Sequence, residues 1–198
     1  MQSLRDRQKL RRRDRIFKTA IQLFRSKGFE ETTATDIAKT SHVSRGTFFN
    51  YYPYKEAVLL DFGSQLLEEL SKQSLGELAE GNEPLEVLYR LWGRIAEVSE
   101  RERILLSPLA YELLIPDPVR AEAAFRALPL GDLVKKILEP LKEKGQLRDD
   151  LSLERIGRSI ADMYLLSALR WAAYTPGREL RDEMMKSLKL MLEGALVR

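Results

Sequence analysis

The residues best suited to chemistry in this chain lie in one short run, Ser44-Arg-Gly-Thr-Phe-Phe-Asn-Tyr51, and their chemistry is hydrogen bonding rather than bond making. Arg45 can fork onto a guanine edge and Asn50 onto an adenine edge. Thr47 can bond a base or touch a thymine methyl, and Gly46 lets the backbone approach closely. At helical spacing these four share one face, while Val43 and Phe48 turn to the other and can fill a small core with Phe24, Ile37 and Ala38. Catalytic groups are scarce by contrast. The 198 residues include no cysteine and a single histidine, His42, which removes thiolate nucleophiles, disulfides and Cys/His metal cages. No carboxylate sits with a His or Cys partner or in a Gly-rich phosphate loop, so neither an enzyme nor a metal or other cofactor is expected.

Charge points the same way. Residues 1–55 carry 13 Lys and Arg against 5 Asp and Glu, a net charge of +8, whereas residues 56–198 carry −5. Such a basic segment is the footprint of a polyanion-binding module, because each cation placed on a phosphate releases condensed counterions. The arm Arg5, Arg7, Lys9, Arg11, Arg12, Arg13, Arg15 and Lys18 reads as a clamp on the DNA backbone or minor groove, or else as a solvated helix face. A membrane-surface role is disfavoured because the apolar face of this helix is needed by the small core. No apolar run approaches the roughly 18 residues of a membrane span, and the N-terminus is too charged for a secretory signal, so a cytoplasmic location is expected.

The elements that must position these groups are all helical, about nine in number. Ile16, Ala20, Leu23 and Phe24 mark a first helix ending at Gly28, a C-cap candidate. Thr33-Ala-Thr-Asp36 has capping-box spacing and opens a second helix reaching about Ser41. Ser44 caps a third that ends at Tyr51 or Tyr52, and Pro53 forces a break before the next helix near Lys55. His42 occupies the turn, where positive φ is often required. A fourth helix to about Leu78 and a fifth opened by Pro84 follow. Pro108, Pro116, Pro118, Pro129 and Pro140 divide 104–145 into two or three short or kinked helices. Helices over about 152–174 and 178–196 close the chain. The domain division expected is 1–54 for the helix-turn-helix and 55–198 for a larger helical domain.

The run Thr33 to Glu56 resembles the motif of TetR-type bacterial transcriptional repressors, which typically reads T-x-x-x-I-A-x-x-A-G-V-S-x-G-T-L-Y-x-Y-F-x-x-K-E, and the match covers about residues 11–60. The resemblance implies a dimer on a palindromic double-stranded DNA operator, released by a small molecule. It implies phosphate contacts from Thr33 and Lys55, a backbone or base contact from Tyr51, and base-facing positions at Thr35, Arg45, Gly46, Thr47 and Asn50. Phe49 stands where the family usually has Tyr, so that hydroxyl contact to phosphate is lost, and His42 stands where it usually has Gly.

Effector and dimer sites are expected in the larger domain. The resemblance implies a mostly apolar pocket, and the aromatic residues Phe62, Tyr89, Trp92, Tyr111, Phe125, Tyr164 and Trp171, with Leu66, Met163 and Ser167, are its candidate lining. Arg170 falls in the apolar stripe of its helix and must have an anionic partner, either Asp162, a residue across the dimer, or an acidic effector. Together with Arg90, Arg94, Arg120 and Arg126 it favours an anionic head, so an acyl-CoA or fatty acid is the expected effector, with cationic or aromatic compounds as the alternative. The last helix offers Leu180, Met184, Leu188, Met191 and Leu192 as the homodimer interface. A non-enzymatic helical adaptor is the other competing function.

Overall fold

A computed structural model describes residues 3–174 and 179–196. These form ten helices, α1 (Leu4–Lys27), α2 (Ala34–Thr40), α3 (Arg45–Tyr51), α4 (Ala57–Ala79), α5 (Pro84–Arg101), α6 (Arg103–Leu113), α7 (Pro118–Ala127), α8 (Leu130–Glu143), α9 (Leu153–Tyr174) and α10 (Leu180–Ala195). The one helix beyond the expected nine comes from the proline-rich stretch, which divides into three. Pro118 takes the first position of α7 behind Asp117, whose side chain accepts the Val119 and Arg120 N–H groups. Pro129 precedes α8, whereas Pro108 and Pro140 lie within α6 and α8 without ending them. Among the described residues no helix is long and apolar enough to cross a membrane.

Local chemistry sets the N-terminal unit. Lys27 ends α1 because Gly28 turns the chain at φ 96°, and His42 sits at φ 54° between α2 and α3, the left-handed conformation that the turn requires. Ile16, Ala20 and Phe24 of α1, Ile37 and Ala38 of α2 and Phe48 of α3 form one buried cluster. It continues through Val58, Leu59 and Phe62 of α4 to Leu105 and Leu109 of α6. Each large side chain buried there contributes roughly 1.5–3 kcal/mol against exposure, so the head is anchored on α4 rather than tethered to it.

A second cluster joins α5, α8, α9 and α10, with Leu88, Leu91, Trp92, Val134, Ile137, Leu138 and Ile160 at its centre. Leu180, Met184, Leu188 and Leu192 belong to it, none more than 2% exposed. The interface expected from these four is therefore corrected: they are consumed by the chain's own core. Met191 packs against the same cluster. Among the described residues the larger apolar side chains left outside on the two closing helices are Leu166 and Leu190. Helices α8 and α9 cross with their backbones in contact, since a Cβ on Gly157 would stand 2.5 Å from the Gly131 carbonyl oxygen.

Candidate nucleic-acid interface and internal cavity

Arg45, Gly46, Asn50 and, on α2, Thr35 are exposed, while Thr47 is half-buried. The α3 N-terminus is pinned by Ser44, whose oxygen accepts the Thr47 N–H at 3.0 Å and lies 2.8 Å from the Thr47 hydroxyl. That engagement leaves the Thr47 methyl as its freer contact surface. The Arg45 guanidinium lies 5.5 Å over the Phe49 ring, one helical turn along, so the aromatic ring at this position braces the arginine that would enter the groove.

At the start of α2, Thr33 accepts the Asp36 N–H while Asp36 accepts that of Thr33, the reciprocal cap expected from the sequence. Lys27 Nζ adds a 2.8 Å bond to the same carboxylate. This ammonium first, then the Thr33 N–H and hydroxyl, holds the Asp36 carboxyl well below the usual carboxylate range. Lys55 is less free than a phosphate ligand would be: its Nζ donates to the Phe29 carbonyl at 2.8 Å and sits 4.0 Å over the Phe29 ring. Tyr51 is half-buried against the head core. Beside it Tyr52, read from the sequence only as a possible helix end, donates to Asp61 at 2.6 Å, and Arg13 reaches the same carboxylate at 2.8 Å.

The basic arm is helical from Leu4, started by a Ser3–Asp6 capping box, and every residue from 4 to 15 is exposed. A helix is too wide to insert into the roughly 6 Å minor groove, which leaves of the expected readings a backbone clamp or a solvated helix face.

The internal cavity, about 640 Å³, is walled by α4 (Gly63, Leu66, Leu67, Leu70), α5 (Ile95, Val98, Ser99), α6, Phe125 of α7, the turn into α8, and a long face of α9. Of the expected lining, Leu66, Phe125, Tyr164 and Trp171 are there. The others are not. Trp92 is fully buried in the second cluster with Tyr89 and Met163 packed around it, Phe62 belongs to the head cluster, and Tyr111 is 59% exposed. Ser167 and Arg170 do not line the cavity, and Arg170 is exposed. The remaining arginines that favoured an anionic head are paired within the chain: Arg90 and Arg94 with Glu77, Arg120 with Glu112, and Arg126 with Glu122. The cation that does line the cavity is Arg103, together with Arg158. Its spacing from Leu106, Ser107 and Ala110 was the available signal, obscured by reading Pro108 as a helix break.

Two links join cavity walls to the head. Arg25 of α1 donates through two nitrogens to Glu102 at the α5–α6 junction. Arg120 of α7 reaches Glu112 and, at 3.6 Å, Glu56 at the start of α4, while its guanidinium lies 4.1 Å from the Tyr54 ring centroid. Among the described residues no group of acids and histidines is placed to hold a metal ion.

An exposed reading helix behind a tight turn, joined by one long helix to a domain with a deep apolar cavity, defines a ligand-responsive DNA-binding regulator. The chain belongs to the TetR family of transcriptional repressors. Residues 16–62 match the bacterial regulatory proteins of the tetR family, and residues 64–194 match the C-terminal domain of TetR/AcrR family transcriptional repressors. It is similar to the crystal structure of Thermus thermophilus FadR, a TetR family repressor in complex with lauroyl-CoA, with 66% identity, 94% of this chain and 96% of that one covered, and a TM-score of 0.90. It also shares the fold of the fatty acid degradation regulator FadR from Bacillus halodurans, at 20% identity, coverage of 92% and 95%, and a TM-score of 0.72. The Bacillus subtilis HTH-type transcriptional regulator YuxN is 35% identical over 69 residues, 35% of this chain and 24% of that protein. The chain thus spans only about a quarter of that relative.

Proposed function

We propose that this repressor binds a palindromic operator as a homodimer and releases it when a fatty acyl-CoA enters the cavity. The observation that carries the reading is the apolar cavity of about 640 Å³ in a chain 66% identical to a repressor crystallised with lauroyl-CoA. Helix α4 connects the two functions. Gly63, Leu66 and Leu70 face the cavity, while Val58 and Leu59, one turn earlier, are buried in the head core. A ligand that shifts α4 therefore shifts the head, and the two reading helices must stand about 34–36 Å apart to enter successive major grooves. Release follows only from differential affinity for the two head spacings, so a ligand indifferent to spacing leaves the DNA bound. The second copy packs on the outer face of α9 and α10, where Leu166 and Leu190 are exposed.

The test is site selection from random duplex DNA, followed by titration of the selected complex with acyl-CoAs of increasing length and, separately, with cationic dyes. Dimeric, salt-sensitive binding released by acyl-CoA supports the reading. Release by dyes alone, or affinity flat between about 50 and 200 mM salt, refutes it.

A further inference from the structure

The cavity follows α9 from Glu154 to Ala172, about 27 Å at 1.5 Å per residue, and its two ends differ in charge. At the α8 end the lining includes the exposed Asp132, Glu154 and Asp162 with Arg158, and Glu154 is paired with Lys135, so acids still outnumber the cations there. At the other end stands Arg103, its guanidinium 5.0 Å over the Trp171 ring and one nitrogen donating to the Ala172 carbonyl at 2.7 Å. Among the described residues no carboxylate lies within ion-pair distance of Arg103. A guanidinium has five N–H donors in a planar fork that matches a carboxylate or phosphate. One carbonyl takes one of them, and the Trp171 face steadies the plane while leaving donors for a ligand. A cation at an apolar wall gains most from an anion that arrives with the ligand.

One wall is shaped by an absent side chain. A Cβ on Gly63 would lie 2.6 Å from a Leu109 methyl and 2.9 Å from a Leu128 methyl, both of which line the cavity. Both leucines, on α6 and just before α8, close this wall beside Gly63 of α4.

We propose that the effector lies in the cavity with a single polarity, its anionic head against Arg103 and its hydrocarbon tail toward Gly63. The proposal rests on the acyl-ligand reading above and adds to it the residue that selects the head and the wall that limits the tail. The reverse orientation would set the head among Asp132, Glu154 and Asp162. The anion has two possible sources, the carboxylate of a fatty acid or the phosphates of a CoA ester.

The experiment measures binding of lauroyl-CoA, laurate and uncharged dodecanol by the full-length protein and by Arg103→Met and Arg103→Lys. Arg103→Met weakens the anionic ligands by about tenfold or more, the scale of one lost charge-assisted contact, leaves dodecanol unchanged, and is partly rescued by Arg103→Lys. Loss for lauroyl-CoA alone identifies the phosphates as the head, and loss for laurate alone identifies the carboxylate. Equal loss for all three ligands makes Arg103 a brace on α9 and overturns the proposal, as does no loss for any. Gly63→Ala provides the second readout: binding falls for the longest acyl chains and is kept for the short ones, whereas a uniform loss overturns the orientation. If the unaltered protein binds none of the acyl ligands, the functional reading fails first and the polarity with it.

Discussion

Gly157→Ala places a methyl group where two helix backbones already touch. Its Cβ would lie 2.5 Å from the Gly131 oxygen and 3.3 Å from the Lys135 nitrogen. Neither atom is the end of a flexible side chain, so relief requires α8 and α9 to separate and the second core to loosen around Val134 and Ile160. Overpacking costs about 1–3 kcal/mol, and a contact with backbone belongs in the upper part of that range. Better helix propensity returns at most about 1 kcal/mol, for a net loss of about 1–2 kcal/mol. At about 2–4 °C per kcal/mol for a chain of this size, Tm falls by about 2–8 °C. Gly76→Ala is the control: it lies in α4, and nothing stands within 4 Å of the added Cβ, so propensity alone raises Tm by about 1–4 °C. Calorimetry of all three proteins at one protein concentration measures this, because dimer melting depends on concentration. A Gly157→Ala protein melting at or above the unaltered one would refute the close crossing.

Arg45→Ala should cost about 1–3 kcal/mol of operator affinity and relax preference at one base pair per half-site; competition with operator variants checks this, and a uniform loss would make Arg45 a phosphate contact. Met184→Glu buries a charge in the second core, where Met184 has no exposed surface, and should abolish the folded state by circular dichroism. Leu190→Glu, 71% exposed before substitution, should instead keep the fold and yield monomers in sedimentation, and a stable dimer would place the interface elsewhere. Asp36 is a depressed acid, so its contribution is present above its unfolded pKa of about 3.9 and is lost as pH falls below that value. Melts between about pH 5 and 2 should therefore fall more steeply for the unaltered protein than for Asp36→Asn, and parallel curves would show the Lys27–Asp36–Thr33 link to be idle.

The head was legible because its signals are local. Thr33, Asp36 and Ser44 cap helices within three residues of themselves, and His42 marks a turn that only its own φ decides. The larger domain was legible as helices but not as a site, because periodicity says that a helix has an apolar face and not what covers it. Leu180 to Leu192 show this: one stripe serves equally for a partner subunit or for α5 and α9, and only packing reveals that α5 and α9 take it. The arginines fail for a related reason. Glu77 precedes Arg94 by seventeen residues, and Glu112 precedes Arg120 by eight. Neither distance is a helical neighbour spacing, so these two neutralising acids were invisible, although the Arg126–Glu122 pair at i,i+4 was not, and Arg103, which keeps its charge facing the cavity, was overlooked.

Helix α1 is a single rod of 24 residues, about 36 Å long, held at Arg25 by Glu102 and at Arg13 by Asp61. Beyond the second hold its first nine residues, including Arg5, Arg7, Lys9, Arg11 and Arg12, overhang the head. A rod held along one half with the other half free is a lever. Any tilt imposed where α5 meets α6, close to Arg103, is amplified toward the tip, so the basic overhang sweeps farther than α3 does for the same movement. In the operator complex proposed above, loss of grip on the phosphates would then begin at the arm before the reading helix leaves its groove, and trimming the overhang would shorten the stroke along with the charge.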